Sequence, residues 1–136
     1  MMSVRDQFVG RYDEDVPRRV LVVDDDLNIL RLFSRILSRG GYEVRTEESS
    51  PNVIRILDRE GPFDLVVLDL CMPKPDGFEL LPEVRSRYPG LRILVTSGFF
   101  GGEFLPASEL LGASATLRKS EAPRLLLSQV NQLLES

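Results

Sequence analysis

Short continuous apolar runs alternate with amphipathic stretches along this chain. Val20-Leu21-Val22-Val23 and Leu65-Val66-Val67-Leu68 are unbroken, the pattern of parallel strands buried on both faces. After the first run, Ile29, Leu30, Phe33, Ile36 and Leu37 recur at helical spacing, and Gly40-Gly41 supplies a C-terminal stop. Tyr42 to Thr46 predicts a weaker second strand. Ser50-Pro51 then offers an N-cap followed by proline at the first helical position, Val53, Ile54 and Leu57 an apolar face, and Gly61-Pro62 an end. The third strand, 64–69, leads into a loop, 71–77, stiffened by two prolines and closed by an Asp-Gly turn signal. Helix three is expected from about 78 to 88. Pro82 belongs in its opening turn, because an interior proline costs about 3 kcal/mol. Strand four at 92–96, a glycine-rich loop at 98–102, a short helix at 104–111, strand five at 114–118 and a final helix with Leu125, Leu126, Val130, Leu133 and Leu134 complete the pattern. Five strands and five helices in strict alternation predict an α/β fold: a parallel sheet, joined by right-handed crossovers, with helices on both faces. Residues 1–18 mix acidic and basic side chains without apolar periodicity and are expected to be an extension or linker, with the domain spanning 19–136.

The polar positions at the strand ends carry the chemistry. Strand one stops at Asp24-Asp25-Asp26 and strand three at Asp69. In open α/β sheets, ligands bind just beyond the carboxyl ends of the strands. If the two strands are neighbours, their acids converge, and two carboxylates about 5 Å apart repel by about 3 kcal/mol at an effective dielectric of about 20. Such packing calls for a cation or a raised pKa. Taken alone, the three aspartates would suit helix capping. Acids at the ends of two buried strands are better explained by a shared divalent ion, and the lack of Cys/His ligands points to Mg²⁺. Strand four ends at the hydroxyls of Thr96 and Ser97, and strand five at Arg118-Lys119. Alone these would be turn chemistry and a solvated lysine. Together with the acids they suit a phosphoryl group.

Composition narrows the setting. The chain has 136 residues, 43% hydrophobic and 28% charged, which fits a single core. With 17 basic against 21 acidic side chains the net charge is -4, and no basic run marks a nucleic-acid or anionic-membrane footprint. The absence of histidine excludes Ser-His-Asp and Cys-His catalysis and every His-liganded metal site. Cys71, the single cysteine, cannot form an intramolecular disulfide. With no signal peptide or apolar run of transmembrane length, a cytoplasmic location is expected.

VLVVDDD, DLVVLDLCMPKPDG, ILVTSG and GASATLRK, in that order and each at a predicted strand end, resemble the signatures of the response-regulator receiver domain of two-component signalling, over about residues 19–134. The resemblance implies a doubly wound, flavodoxin-like five-stranded parallel sheet of order 2-1-3-4-5. It implies that Asp69 is the phosphoacceptor, attacking a phosphohistidine on a histidine kinase or histidine phosphotransfer protein, or a small acyl phosphate. Asp25 and Asp69, with the backbone carbonyl of Cys71, are then Mg²⁺ ligands, and Asp24 acts through bound water. Thr96 donates to one phosphoryl oxygen and Lys119 pairs with another, so that modification shifts strands four and five and switches contacts with a downstream effector protein. The result is a signalling module rather than a turnover enzyme. Cys71 and Ser97 flank the acyl phosphate and would tune its hydrolysis; the Cys71 thiol itself is expected to be buried and inert. No effector segment follows the last helix, which suggests a stand-alone receiver or a piece of a longer regulator. Direct nucleic-acid and membrane contacts are not expected, and a homodimer through the face of strands four and five is left open.

Two positions depart from that pattern. Thr116 stands where most receivers carry an aromatic switch residue. Phe99 or Phe100 is a candidate substitute, with ordinary packing the stronger reading. Ser120 stands where a proline usually follows the lysine; a cis bond without proline costs about 3 kcal/mol, so Lys119–Ser120 is expected to be trans, with Ser120 capping the last helix. These departures favour, as an alternative, a receiver-like interaction domain independent of phosphorylation. A Mg²⁺-dependent phosphohydrolase of the haloacid dehalogenase kind would need a second acid two residues after Asp69, where Cys71 stands.

Overall fold

The computed structural model describes residues 16–73, 75–98 and 105–135. Within them the order is β1 (Arg19–Val23), α1 (Leu27–Arg39), β2 (Glu43–Glu47), α2 (Val53–Glu60), β3 (Leu65–Asp69), α3 (Gly77–Arg87), β4 (Arg92–Ser97), α4 (Leu105–Leu110), β5 (Ala115–Arg118) and α5 (Ala122–Glu135). The strands form one parallel sheet in the order β2-β1-β3-β4-β5. The expected architecture and strand order are both present, and strand limits differ from the sequence-based ones by a residue or so.

Each central strand is apolar throughout because both of its faces are covered. Leu21, Val23, Val66, Leu68, Ile93 and Val95 pack toward α2, α3 and α4, while Val20, Val22, Leu65, Val67 and Leu94 pack toward α1 and α5 with Phe33, Leu37, Leu126 and Val130. The stop after α1 forms as the glycine pair suggested. Gly41, at φ +96°, turns the chain so that its N–H reaches the Ser38 carbonyl at 3.0 Å and the Tyr42 N–H reaches that of Leu37 at 3.1 Å. Among the described residues no helix is long and apolar enough to cross a membrane.

Three local expectations fail. Ser50 does not cap a helix; it opens a single 3₁₀ turn, Ser50–Asn52, ahead of α2, and its hydroxyl donates to the Pro73 carbonyl instead. Ser120 lies inside a second 3₁₀ turn, Lys119–Glu121, with α5 beginning at Ala122, so it is not the cap of the last helix. The Lys119–Ser120 peptide is trans, as expected. Pro82 is the sixth residue of α3, beyond its opening turn. The helix starts earlier than its apolar pattern suggests because Asp76 and Glu79 form a reciprocal capping box, Glu79 N–H to Asp76 Oδ1 at 2.9 Å and Asp76 N–H to Glu79 Oε1 at 3.0 Å. Buried Leu80, Leu81 and Val84 then hold the helix to the sheet across the hydrogen bond that proline omits. Phe99, Phe100 and most of the glycine-rich loop lie outside the described residues.

Pro82 is exposed and interrupts an otherwise regular helix. Restoring its N–H outweighs the extra freedom given to the unfolded chain. Pro82→Ala is therefore expected to stabilise the protein by about 1–2 kcal/mol in chemical denaturation; an equal loss of stability would show that the ring packs favourably where it stands.

Candidate functional site

β1 and β3 are adjacent, with Val23 opposite Leu68, so the residues that follow them emerge side by side. Carboxylate oxygens of Asp24, Asp25 and Asp69 lie within 4.8 Å of one another. Asp24 and Asp69 are buried, at 1% and 0% exposure, and Asp25 faces solvent. The aspartate run divides its labour. Asp26 caps α1 by accepting from the Asn28 N–H at 2.9 Å, while Asp24 turns inward and accepts the Asp26 N–H at 2.9 Å. Capping and site building, alternatives in the sequence, are both present on different residues.

From the other side of the sheet end, β5 delivers Lys119. Its Nζ lies 2.7 Å from Asp24 Oδ2 and 3.2 Å from Asp69 Oδ2. It is a partly buried partner of two buried carboxylates, not a solvated lysine. Thr96 is paired in register with Asp69, and the hydroxyls of Thr96 and Ser97 are buried without a hydrogen-bond partner. A buried hydroxyl left unpaired is costly unless something arrives to accept from it. The next residue, Gly98, lies against Lys119: a Cβ there would make ordinary van der Waals contact with the lysine Cδ at 3.5 Å. Asp69 also accepts from the Cys71 N–H at 3.2 Å. The Cys71 side chain, expected to be buried, is exposed. Leu70 and Met72 turn inward and take the core positions on either side of it.

Burial, reinforced by the charge of Asp24, pushes the Asp69 carboxyl up to about 6, against the pull of Lys119. Burial also raises Asp24, although the Lys119 ammonium and the Asp26 N–H oppose it. For Lys119, burial works against the charged form, yet the two carboxylates outweigh it and hold the ammonium above its ordinary value. Three carboxylates meet one ammonium, so two negative charges are left over. The donor set is all oxygen, which fits a small hard cation rather than a thiophilic one.

A family profile described as the response regulator receiver domain matches residues 20–131. The chain belongs to this family. Among solved structures, a CheY-like receiver domain protein from Methanospirillum hungatei JF-1 is 30% identical with a TM-score of 0.81, covering 88% of this chain and 95% of that one. TrrA of Thermotoga maritima, solved in complex with Mg²⁺ and BeF, is 30% identical with a TM-score of 0.77, covering 86% and 99%. Among curated proteins, the transcriptional regulatory protein GlrR of Escherichia coli K12 is 39% identical over 79 residues, and the DNA-binding transcriptional regulator NtrC of Rhizobium meliloti is 40% identical over 78 residues. Those matches take in 58% and 57% of this chain but only 18% and 16% of the relatives.

Within the receiver fold, the departure at β5 is now located. Thr116 pairs with Val95 in register and is half-buried, lining a cleft of about 500 Å³ with Gln129 and Gln132 of α5 and Glu109 of α4. Another cleft, of about 510 Å³, lies elsewhere, between Phe63, Tyr88 and Leu134, and gathers none of the strand-end residues. Two residues around the site escaped the sequence reading. Gly77, marked as a turn by the Asp-Gly signal, is the first residue of α3; the Asp76-x-x-Glu79 spacing carries that information. Ser50 has the sequence context of a cap, and nothing local reveals its long-range bond to Pro73.

The raised Asp69 value has a sign. A carboxyl whose folded pKa, about 6, exceeds its ordinary 3.8 favours the folded state most at low pH, and that contribution is lost as pH rises from about 4 to 6. Asp69→Asn, which cannot ionise, should therefore be more stable than the parent in metal-free buffer at pH 7.5, by on the order of 3 kcal/mol. The advantage should shrink toward pH 4. A pH-independent difference in paired denaturation curves would contradict the assignment.

Proposed function

We propose that this chain is the phosphoaccepting receiver module of a two-component phosphorelay, with Asp69 taking a phosphoryl group from a phosphohistidine on a partner histidine kinase or phosphotransfer protein. The observation that carries this is the meeting of Asp24, Asp25, Asp69 and Lys119 at the carboxyl edge of the sheet, beside unpartnered Thr96. Above about pH 6 Asp69 is ionised, and an Asp69 oxygen forms a bond to phosphorus as the bond from phosphorus to the donor nitrogen, or to the acyl-phosphate oxygen, breaks. The product is an aspartyl phosphate on this chain.

Asp25, Asp69 and the Cys71 carbonyl would hold Mg²⁺, with Asp24 acting through water. Bound there, the ion supplies charge neutralisation for the transferred oxygens. The Thr96 hydroxyl donates to one phosphoryl oxygen. Lys119, already between Asp24 and Asp69, pairs with another. These contacts draw β4 and β5 toward Asp69 and change the surface offered to a downstream effector protein. Residues 1–18 serve as an extension or linker to a receiver at 19–136, in keeping with the family match over 20–131. The cytoplasm, where phosphohistidine donors of this kind act, is the setting this function requires. The exposed Cys71 side chain, two residues after Asp69, and buried Ser97, next to Thr96, tune how long the acyl phosphate lasts.

A second reading, a receiver-like interaction domain that needs no phosphorylation, draws on Thr116 in place of an aromatic. Intact mass after incubation with acetyl phosphate and Mg²⁺ separates the two. A single phosphoryl adduct, absent in Asp69→Asn and abolished by chelation of the metal, is the expected result. Thr96→Ala, which removes a hydrogen bond to a charged group, should slow labelling by about tenfold. No adduct under any donor favours the second reading.

A further inference from the structure

The segment that follows Asp69 is held from three sides. The Leu70 N–H donates to the Thr96 carbonyl of β4 at 3.0 Å. The Ser50 hydroxyl, buried at 3% exposure in the turn before α2, donates to the Pro73 carbonyl at 3.1 Å. From α3, the Gly77 N–H donates to the Leu70 carbonyl at 3.0 Å. Gly77 is glycine for reasons of space. A Cβ there would lie 2.4 Å from the Asp69 carbonyl oxygen and 2.6 Å from Leu70 Cα, backbone atoms that cannot swing aside as a flexible side chain would. The first turn of α3 is therefore seated directly on the backbone of the phosphoacceptor, and the Asp76–Glu79 capping box fixes that turn.

Cys71 lies between these restraints, with its N–H on Asp69 and its carbonyl assigned above to the metal. The Ser50 hydroxyl and the Gly77 N–H are committed to the Pro73 and Leu70 carbonyls, and neither residue is among those assigned above to the phosphoryl group or the ion. We propose that both are positioning residues for the metal site: Gly77 by letting α3 close on Asp69 and Leu70, Ser50 by tying Pro73 to the start of α2. They keep the Cys71 backbone in the conformation that binding the ion requires. This rests on the functional reading given above. Residues that orient the ligands of a metal are commonly worth about 10–100-fold in affinity, because an ill-placed ligand must be ordered at the moment of binding.

The test is a Mg²⁺ titration of the full chain, followed by backbone amide shifts, on the parent, Ser50→Ala, Gly77→Ala and Gly90→Ala. Gly77→Ala should bind Mg²⁺ about tenfold more weakly or worse. Ser50→Ala, which loses one hydrogen bond and keeps the core intact if Gly77→Ala does not fold, should bind about threefold more weakly. Gly90→Ala, where a Cβ meets open space, should match the parent. Acetyl phosphate labelling of Ser50→Ala should be slow at low Mg²⁺ and recover at saturating Mg²⁺, a split that loss of fold alone would not produce. Folded Ser50→Ala with parental Mg²⁺ affinity overturns the proposal alone, provided the parent binds; a parent chain that binds no Mg²⁺ overturns the functional reading and the proposal with it.

Discussion

Asp24 and Asp69, both buried, share one ammonium. Lys119 reaches each of them from the end of β5, and the rest of the site is arranged around that contact. Without the lysine the two acids would stand against each other in a poorly hydrated place, and burial would drive them to the neutral form. With it, one charge of three is matched, and Asp69 still holds a raised pKa. The edge of the sheet is thus stable enough to fold and electrostatically incomplete enough to bind. A cation and a phosphoryl group are the kinds of charge that would complete it.

The core makes this arrangement possible. Strands buried on both faces cannot slide in register without exposing apolar side chains, so the four strand ends that bear Asp24, Asp69, Thr96 and Lys119 are fixed relative to one another. The segment after β3, which carries Cys71, has no such ladder of its own. It is held instead by single bonds from β4, from the turn before α2 and from α3, and by the close approach that Gly77 permits. Strain introduced at any of these would be felt first at Asp69.

Much of this was legible in the sequence. Unbroken Val/Leu runs mark the strands, 3.6-residue periodicity marks the helices, strict alternation implies a parallel α/β sheet, and the family resemblance supplies its strand order. The convergence of Asp24, Asp25 and Asp69 followed from adjacency alone. What escaped was set by competition between local signals and tertiary contacts. Pro82 argued for a late start to α3, but a capping box and three buried side chains outweigh one missing hydrogen bond. Ser50 has the chemistry of a cap, yet its hydroxyl finds Pro73, a partner no local pattern reveals. Cys71 has the character of a core residue, yet its neighbours Leu70 and Met72 take the inward positions.

The central claim is that buried like charges at this edge are held short of neutrality until a cation arrives. Carboxyl-carbon NMR titration of Asp69 in the metal-free chain, repeated with saturating Mg²⁺, tests it most directly. Without the ion, Asp69 should titrate at about 6, and with it the midpoint should fall below the ordinary carboxylate range. A metal-free midpoint near 3.8, unmoved by Mg²⁺, would contradict it.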